Sequence, residues 1–479
     1  MTSMAASERL ETRVLRPITH TSIWWYGWMG LLVILIGTGL AAYAVQFRQG
    51  LVVTGMSDTV SWGLYISNFV FFSGVSMAGT FVSAILRITG ASWRRPLTRI
   101  SELTTVSALT MCGLMPLADM GRPDRALYIL RYGRLESPLV WDMVVISTYL
   151  TASAIYLYLF LIPDAAILRD RLRGKVSRLR QVLYSALSLG WHDEPGQRHR
   201  LEQSAAIMML LVIPIGVATH SVVSWIFGTT YRAGWDSTIL APYFAVGALY
   251  SGTAMLITLM IVLRRTHHLE EYFTEKHFRY LSYMLVAFGL LYFYFTFAEY
   301  LTVGYKLEGG ERRLLTELLT GRYSLLVWTG FLGGQILPLA VVFSWARRLP
   351  ILLTLSLLVN VGMWIKRYVI VVPSLANPLV PHLWGVYTPT RVEVAITAAT
   401  FGGFALVFTL FTKFFPVVSL WEMEEGWKEE ESHMSSSDHV KGNATQGQQR
   451  RATAEVHGAM PIGGTMPARM SNPGAEGEL

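Results

Sequence analysis

The chain has 479 residues, of which 52% are hydrophobic and 15% charged, and its mean hydropathy is +0.40. Soluble domains carry about 25% charged residues, so this balance excludes an ordinary soluble enzyme and points to a lipid bilayer as the solvent. The net charge is +8, and a single cysteine, Cys112, excludes a disulfide, a cysteine-ligated cluster and a covalently attached haem within the chain.

Taken in order, a cytoplasmic N-terminal segment (1–22) precedes ten apolar stretches long enough to cross about 30 Å of hydrocarbon. They are predicted at 23–46, 60–86, 100–118, 138–162, 204–227, 239–263, 280–303, 324–345, 350–372 and 392–415. Continuous runs such as LLVILIGTGLAAYAV are unlike the short alternating strands of an outer-membrane barrel, so the expected fold is an all-α integral membrane protein. The first apolar run is too long for a cleavable signal and has no small-residue cleavage site behind it. Segment 163–203 mixes clustered arginines with leucines, as in LRDRLRGKVSRLRQVLYSALSLGW, and reads as an amphipathic helix on the inner face or a partner contact. The membrane domain runs over 23–425, and 426–479 reads as a disordered cytoplasmic tail because it has too little apolar content to fold.

Of the 40 Lys and Arg, 27 fall in the termini and the loops after even-numbered helices, and 11 fall in the odd-numbered loops. The positive-inside rule then puts both termini in the cytoplasm. Topology accounts for the positive charge, and nucleic acid is not a required partner.

Titratable residues inside hydrocarbon are costly and mark candidate sites. The spans contain Glu102, Asp142, His220, Glu299, Lys366, Arg367 and Glu393. Six of these lie toward the outer ends of their helices, with Asp119 and Asp236 at the same level. Carboxylates, an imidazole and cations at one depth suit a site that handles protons, as quinol oxidation requires, with Asp142 or His220 accepting a hydroxyl proton. The structural alternative is equally open: Glu299, Lys366, Arg367 and Glu393 would form ion pairs or snorkel, and His220 would make an interhelical hydrogen bond. Only one histidine falls within a span, so no haem b ligand pair exists and no haem or iron–sulfur cluster is expected on this chain. Electrons from a quinol would leave to another subunit. Hydroxyls on helix three (Thr104, Thr105, Ser107, Thr110, beside Glu102) and helix four (Ser147, Thr148, Thr151, Ser153) could line a proton half-channel, though packing is their commoner role.

The segments WGLYISNFVFFSGVSMAGTFVSAILR (62–87), MGRPDR (120–125), SPLVWDMVVISTYL (137–150), HSVVSWIF (220–227), GWDSTILAPYFAVGALYSG (234–252) and NVGMWIKRYVIVVPSL (360–375) resemble the polysulfide-reductase membrane-subunit (NrfD/PsrC-like) family. The nearest type is the ten-helix ActC subunit of alternative complex III. The resemblance spans about residues 20–425. It implies two four-helix bundles, helices two to five and six to nine, flanked by helices one and ten. It also implies a quinol, menaquinol in particular, bound near the outer face. Implied partners are an iron–sulfur subunit, haem c cytochromes and a second NrfD-like or other membrane subunit. By motif position Asp142 and His220 match family quinol-site residues; Asp119 is a further proton acceptor, and Arg122, Asp236 and Glu299 complete the candidate set. Met77 and Ile226 stand where the family often has titratable groups, as do Asp119 and Asp236 where it often has histidine. Two other readings stay open: a non-catalytic anchor for periplasmic redox subunits, and a secondary transporter, whose site should lie at the midplane between broken helices.

Overall fold

The structure is a computed structural model that describes residues 15–88, 90–345, 348–379 and 384–421. The predicted tail, 426–479, and the first fourteen residues of the N-terminal segment lie outside the described residues. Among those described the chain is helical, without strands. We number the ten long helices α1 (Ile23–Gln49), α2 (Leu64–Ile88), α3 (Arg95–Asp119), α4 (Pro138–Arg171), α5 (Pro195–Gly228), α6 (Leu240–Thr266), α7 (Glu275–Lys306), α8, α9 (Leu349–Ala376) and α10 (Arg391–Phe414). Helix α8 is composite, with α-turns at Ser324–Trp328 and Leu337–Trp345 on either side of a π-helical stretch, Thr329–Ile336. Nine described helices are long and apolar enough to cross a membrane. The 25 residues of α2, at about 1.5 Å each, give about 37 Å, which is also sufficient.

Local sequence sets the helix ends. Proline stands in the first turn of α3, α4, α5 and α9, where its missing N–H costs nothing. Helices α4 and α5 are 34 residues each, longer than the predicted spans, because Asp164–Arg171 and Pro195–Gln203 continue the helix past the apolar stretch. The surface helix foreseen in 163–203 is correspondingly short, Arg178–Leu187. Its Tyr184 is buried and donates to the Phe414 carbonyl at 2.8 Å, while Leu179 and Val182 are exposed.

Helices α2–α5 close into one ring, α2 against α3, α3 against α4, α4 against α5 and α5 against α2. Helices α6–α9 close in the same order, and the two rings meet chiefly through α2 on α6, with α5 on α6 and α2 on α9. Helices α1 and α10 pair and lie against α2 and α3 through α10. Small residues permit the approaches: Gly79 has no room for a Cβ beside the Ser101 carbonyl of α3, and Gly334 of α8 meets Gly362 of α9 backbone to backbone. Asn68 of α2 spans three elements, accepting from Trp364 Nε1 of α9 (2.8 Å) and donating to Thr397 of α10 (2.9 Å).

The loops gather at two ends. At one, Gly55 donates to Glu393, Arg232 to the Leu375 carbonyl, Arg313 to the Pro378 carbonyl and Asn377 to the Gly310 carbonyl. At the other, Lys413 reaches the Pro17 and His20 carbonyls and Arg180 the Ile18 carbonyl. They are called below the Asp142 end and the Lys413 end.

Candidate functional site

On α4 the residues Asp142, Ile146, Tyr149, Ser153, Tyr156 and Phe160 recur at helical spacing and are all buried, forming the stripe that faces the interior of the first ring. The other α4 hydroxyls, Ser147, Thr148 and Thr151, are exposed on the opposite face and donate to their own helix's carbonyls, so of the four hydroxyls proposed on this helix Ser153 alone turns inward. Asp142 sits one turn from the start of α4; it is 7% exposed, and its Oδ1 has no hydrogen-bond partner. It lies within electrostatic range of Cys112 of α3, whose Sγ is 3.4 Å from the Phe69 carbonyl of α2.

One turn further along α2, the Ser73 carbonyl lies 2.9 Å from His220 Nε2, and His220 Nδ1 lies 2.8 Å from the Gly216 carbonyl of its own helix. Both ring nitrogens therefore face acceptors. A neutral imidazole has one N–H and can donate to one of them, whereas an imidazolium donates to both. The His220 ring stands edge-on to Tyr149, 6.5 Å between centroids, and Tyr149 donates to the Ser76 carbonyl at 3.3 Å. Asp142 and His220 thus line one ring interior at successive depths, with the Asp142 carboxylate nearer the membrane surface. Ser73 Oγ beside them is buried without a partner.

The polar column continues toward the Lys413 end. Thr105 of α3 donates to the Ser76 carbonyl (2.8 Å), and Glu102 and Ser107 of the same helix are also buried. At its base Arg99 and Asp164 form a buried ion pair at 2.8 Å. Arg99 also donates to the Phe160 carbonyl, and Asp164 accepts the Leu420 and Trp421 amides. Sequence reasoning missed this pair, since both residues lie just outside the predicted spans. The signal available was an acid and an arginine bordering adjacent apolar stretches.

The remaining candidates are distributed. Glu299 belongs to the second ring, where its Oε2 pairs with Lys366 Nζ at 3.2 Å and Lys366 lies over the Tyr300 and Tyr243 rings. Arg367 is buried at the junction of the rings, its guanidinium 4.6 Å over Phe244 and close to the backbones of Gly247 and Gly74. Glu393 neither pairs with a cation nor snorkels. It caps α10, accepting from the Gly55 and Thr390 amides (2.8 and 2.9 Å) and from the Tyr387 hydroxyl (2.7 Å). Asp119, at the end of α3, has one buried oxygen without a partner and neighbours the Gln46–Ala118 hydrogen bond that ties α1 to α3. Arg122 and Asp236 are exposed on loops, and Arg122 is held by Asp124 at 2.8 Å. Met77 of α2 and Ile226 of α5 are both buried.

Two closed helical rings that bury carboxylates, an imidazole and cations between long apolar helices describe a multipass membrane protein. Residues 52–378 match the model of the polysulphide reductase, NrfD, family, and the chain belongs to the family. It is 30% identical over 413 residues to a putative dimethyl sulfoxide reductase membrane subunit of Halobacterium salinarum, covering 82% of this chain and 91% of the relative. It is 24% identical to a selenate reductase subunit of Mesobacillus selenatarsenatis, over 79% of this chain and 91% of the relative. The same identity relates it to the menaquinone reductase integral membrane subunit of Nitratidesulfovibrio vulgaris, over 81% and 91%.

Proposed function

We propose that this chain is the quinol-binding membrane subunit of a multisubunit oxidoreductase, oxidising menaquinol or a related quinol at the Asp142 end. The observation that carries the reading is the Asp142 carboxylate, buried one turn inside α4 with an oxygen unpartnered, above a histidine whose two nitrogens face acceptors. A quinol supplies two electrons and two protons, and a buried carboxylate in hydrogen-bond reach of a hydroxyl is the base that accepts a proton as the electrons leave. His220 holds a second proton between the Ser73 and Gly216 carbonyls, and Tyr149 fixes the ring's tilt. The membrane-subunit relatives, one of them named a menaquinone reductase subunit, support a quinone as the redox partner and catalytic subunits in other chains as the electron acceptors.

The finer reading follows the ActC type. The Asp142 end faces outward, and electrons pass to an iron–sulfur and then a haem c subunit. The column Ser76, Thr105, Arg99, Asp164 offers a route for proton translocation. Arg122, Asp236, Glu299 and Asp119 belong to this proposal as groups at the same membrane face.

The test is steady-state quinol oxidation by the purified complex. Asp142→Asn and His220→Ala are each expected to lower turnover about 100-fold, the lower bound for losing a positioned acid–base group, with the subunits still assembled. Unchanged turnover in both variants overturns the assignment and leaves the chain an anchor for its redox partners.

A further inference from the structure

Between α7, α8 and α9 lies a cavity of about 430 Å³, in the second ring and apart from Asp142 and His220. Helix α8 is π-helical there, through the stretch TGFLGGQI, and Gly330 and Gly334 of that stretch stand in the cavity wall against α9. Gly334 meanwhile holds α8 tight against Gly362. The walls are aromatic, with Phe293, Phe297 and Tyr300 from α7 and Trp328 and Phe331 from α8. Phe297 and Trp328 are 56% and 42% exposed on the helix faces that meet lipid, so the cavity opens sideways toward the bilayer.

Its polar groups are few and unusual. Tyr292 and Gln335 line it, both side chains are more than nine-tenths buried, and Tyr292 Oη and Gln335 Nε2 lack a hydrogen-bond partner. Lys366, paired with Glu299, lines it too. An unpaired buried donor is unfavourable anywhere and more so where no water enters. Two such donors, on residues that line one aromatic-walled space, would be satisfied by a ligand that brings acceptors to them.

We propose that this cavity is a second quinone site, holding the planar head of a prenylated quinone with its carbonyl oxygens toward Tyr292 and Gln335 and its chain leaving past Phe297 and Trp328. The volume falls in the range of small-molecule sites and takes the head and the first part of a chain. A phospholipid acyl chain would fill the space but leave both donors unpaired. The choice of a quinone rests on the proposed function above; the cavity and its unpaired donors do not.

The test is photocrosslinking of the purified complex with an azido-naphthoquinone bearing a short isoprenoid chain, followed by peptide mapping. Label is expected in 292–300 and 327–335, displaced by unlabelled quinone and retained in Asp142→Asn. It should fall at least five-fold in both Tyr292→Phe and Gln335→Leu at unchanged melting temperature. Label confined to α2–α5, label insensitive to both substitutions, or label displaced by phospholipid alone overturns the proposal. The competition arm uses the unmodified protein, so it decides even where a variant does not assemble. Turnover lost in Asp142→Asn with no label on α7 or α8 sinks this site and spares the first; label here with turnover untouched in Asp142→Asn and His220→Ala does the reverse.

Discussion

Single residues in this chain divide by what their polar atoms touch. The Arg99–Asp164 pair is buried on both sides, and each partner has further backbone hydrogen bonds, though Arg99 Nε and Nη1 are left without partners. Removing one charge leaves the other uncompensated, so Asp164→Asn is expected to destabilise the protein by about 3 kcal/mol or more, read as a lowered melting temperature in detergent. The Arg122–Asp124 pair is the opposite case. Both side chains are exposed, and the Arg122 guanidinium holds the Asp124 carboxyl below the ordinary carboxylate range, so the pair persists to more acid pH than a free aspartate and weakens as pH falls through that lowered value. Arg122→Ala should leave the melting temperature unchanged. A loss of turnover at unchanged stability would bring Arg122 into the quinol site; no loss would leave it a surface residue.

At the scale of elements, close helix contacts depend on missing side chains. A Cβ on Gly79 would strike the Ser101 carbonyl and Thr105 Oγ1 of α3, which are backbone and a hydrogen-bonded hydroxyl and cannot swing aside. Gly79→Ala is therefore expected to cost about 1–3 kcal/mol through overpacking, and thermal unfolding in detergent checks it. A second element-scale device is the Glu393 cap. Besides starting α10 it fastens loop 50–63, through the Gly55 amide, and segment 384–390, through Tyr387, which in turn accepts the Leu64 amide at the start of α2. Glu393→Ala frees buried donors at about 1–3 kcal/mol each. Faster amide exchange at Gly55 and Leu64 than at the centre of α2 would reveal it, and uniform exchange would show that the cap does not hold the loop.

The whole molecule is two rings of four helices built in the same order. His220 lies eight residues before the end of α5, and Lys366 and Arg367 lie ten and nine before the end of α9, so the two rings put their basic groups at matching depth. The first ring fills that position with an imidazole between two carbonyls. The second fills it with an ion pair beside an open cavity. Asp142, His220, Glu299, Lys366, Arg367 and Glu393 sit toward the Asp142 end and Arg99, Glu102 and Asp164 toward the Lys413 end, away from the midplane, and α4 and α5, which carry Asp142 and His220, are continuous helices. Such an arrangement gives a quinone site more support than a midplane transport site would have.

Ten helices and their order were readable in the sequence because a bilayer demands about 20 apolar residues per crossing, and that demand is local. The depth of Asp142 and His220 was readable for the same reason, since position along a helix fixes depth. Partnership was not. Glu299, Lys366, Arg367 and Glu393 look alike as charged residues near helix ends, yet one pair forms an ion bridge, one cation lies between the rings, and one carboxylate caps a helix. Those outcomes depend on which helix stands opposite, at separations such as the 67 residues between Glu299 and Lys366 or the 338 between Gly55 and Glu393. The inward turn of Ser153 and the outward turn of Ser147, the Arg99–Asp164 base and the π-helical cavity were likewise invisible until the rings closed. Composition and periodicity fix how far each residue lies along its helix; only packing decides which neighbour it meets, because in lipid the apolar faces are alike and small residues and hydrogen bonds choose the contacts.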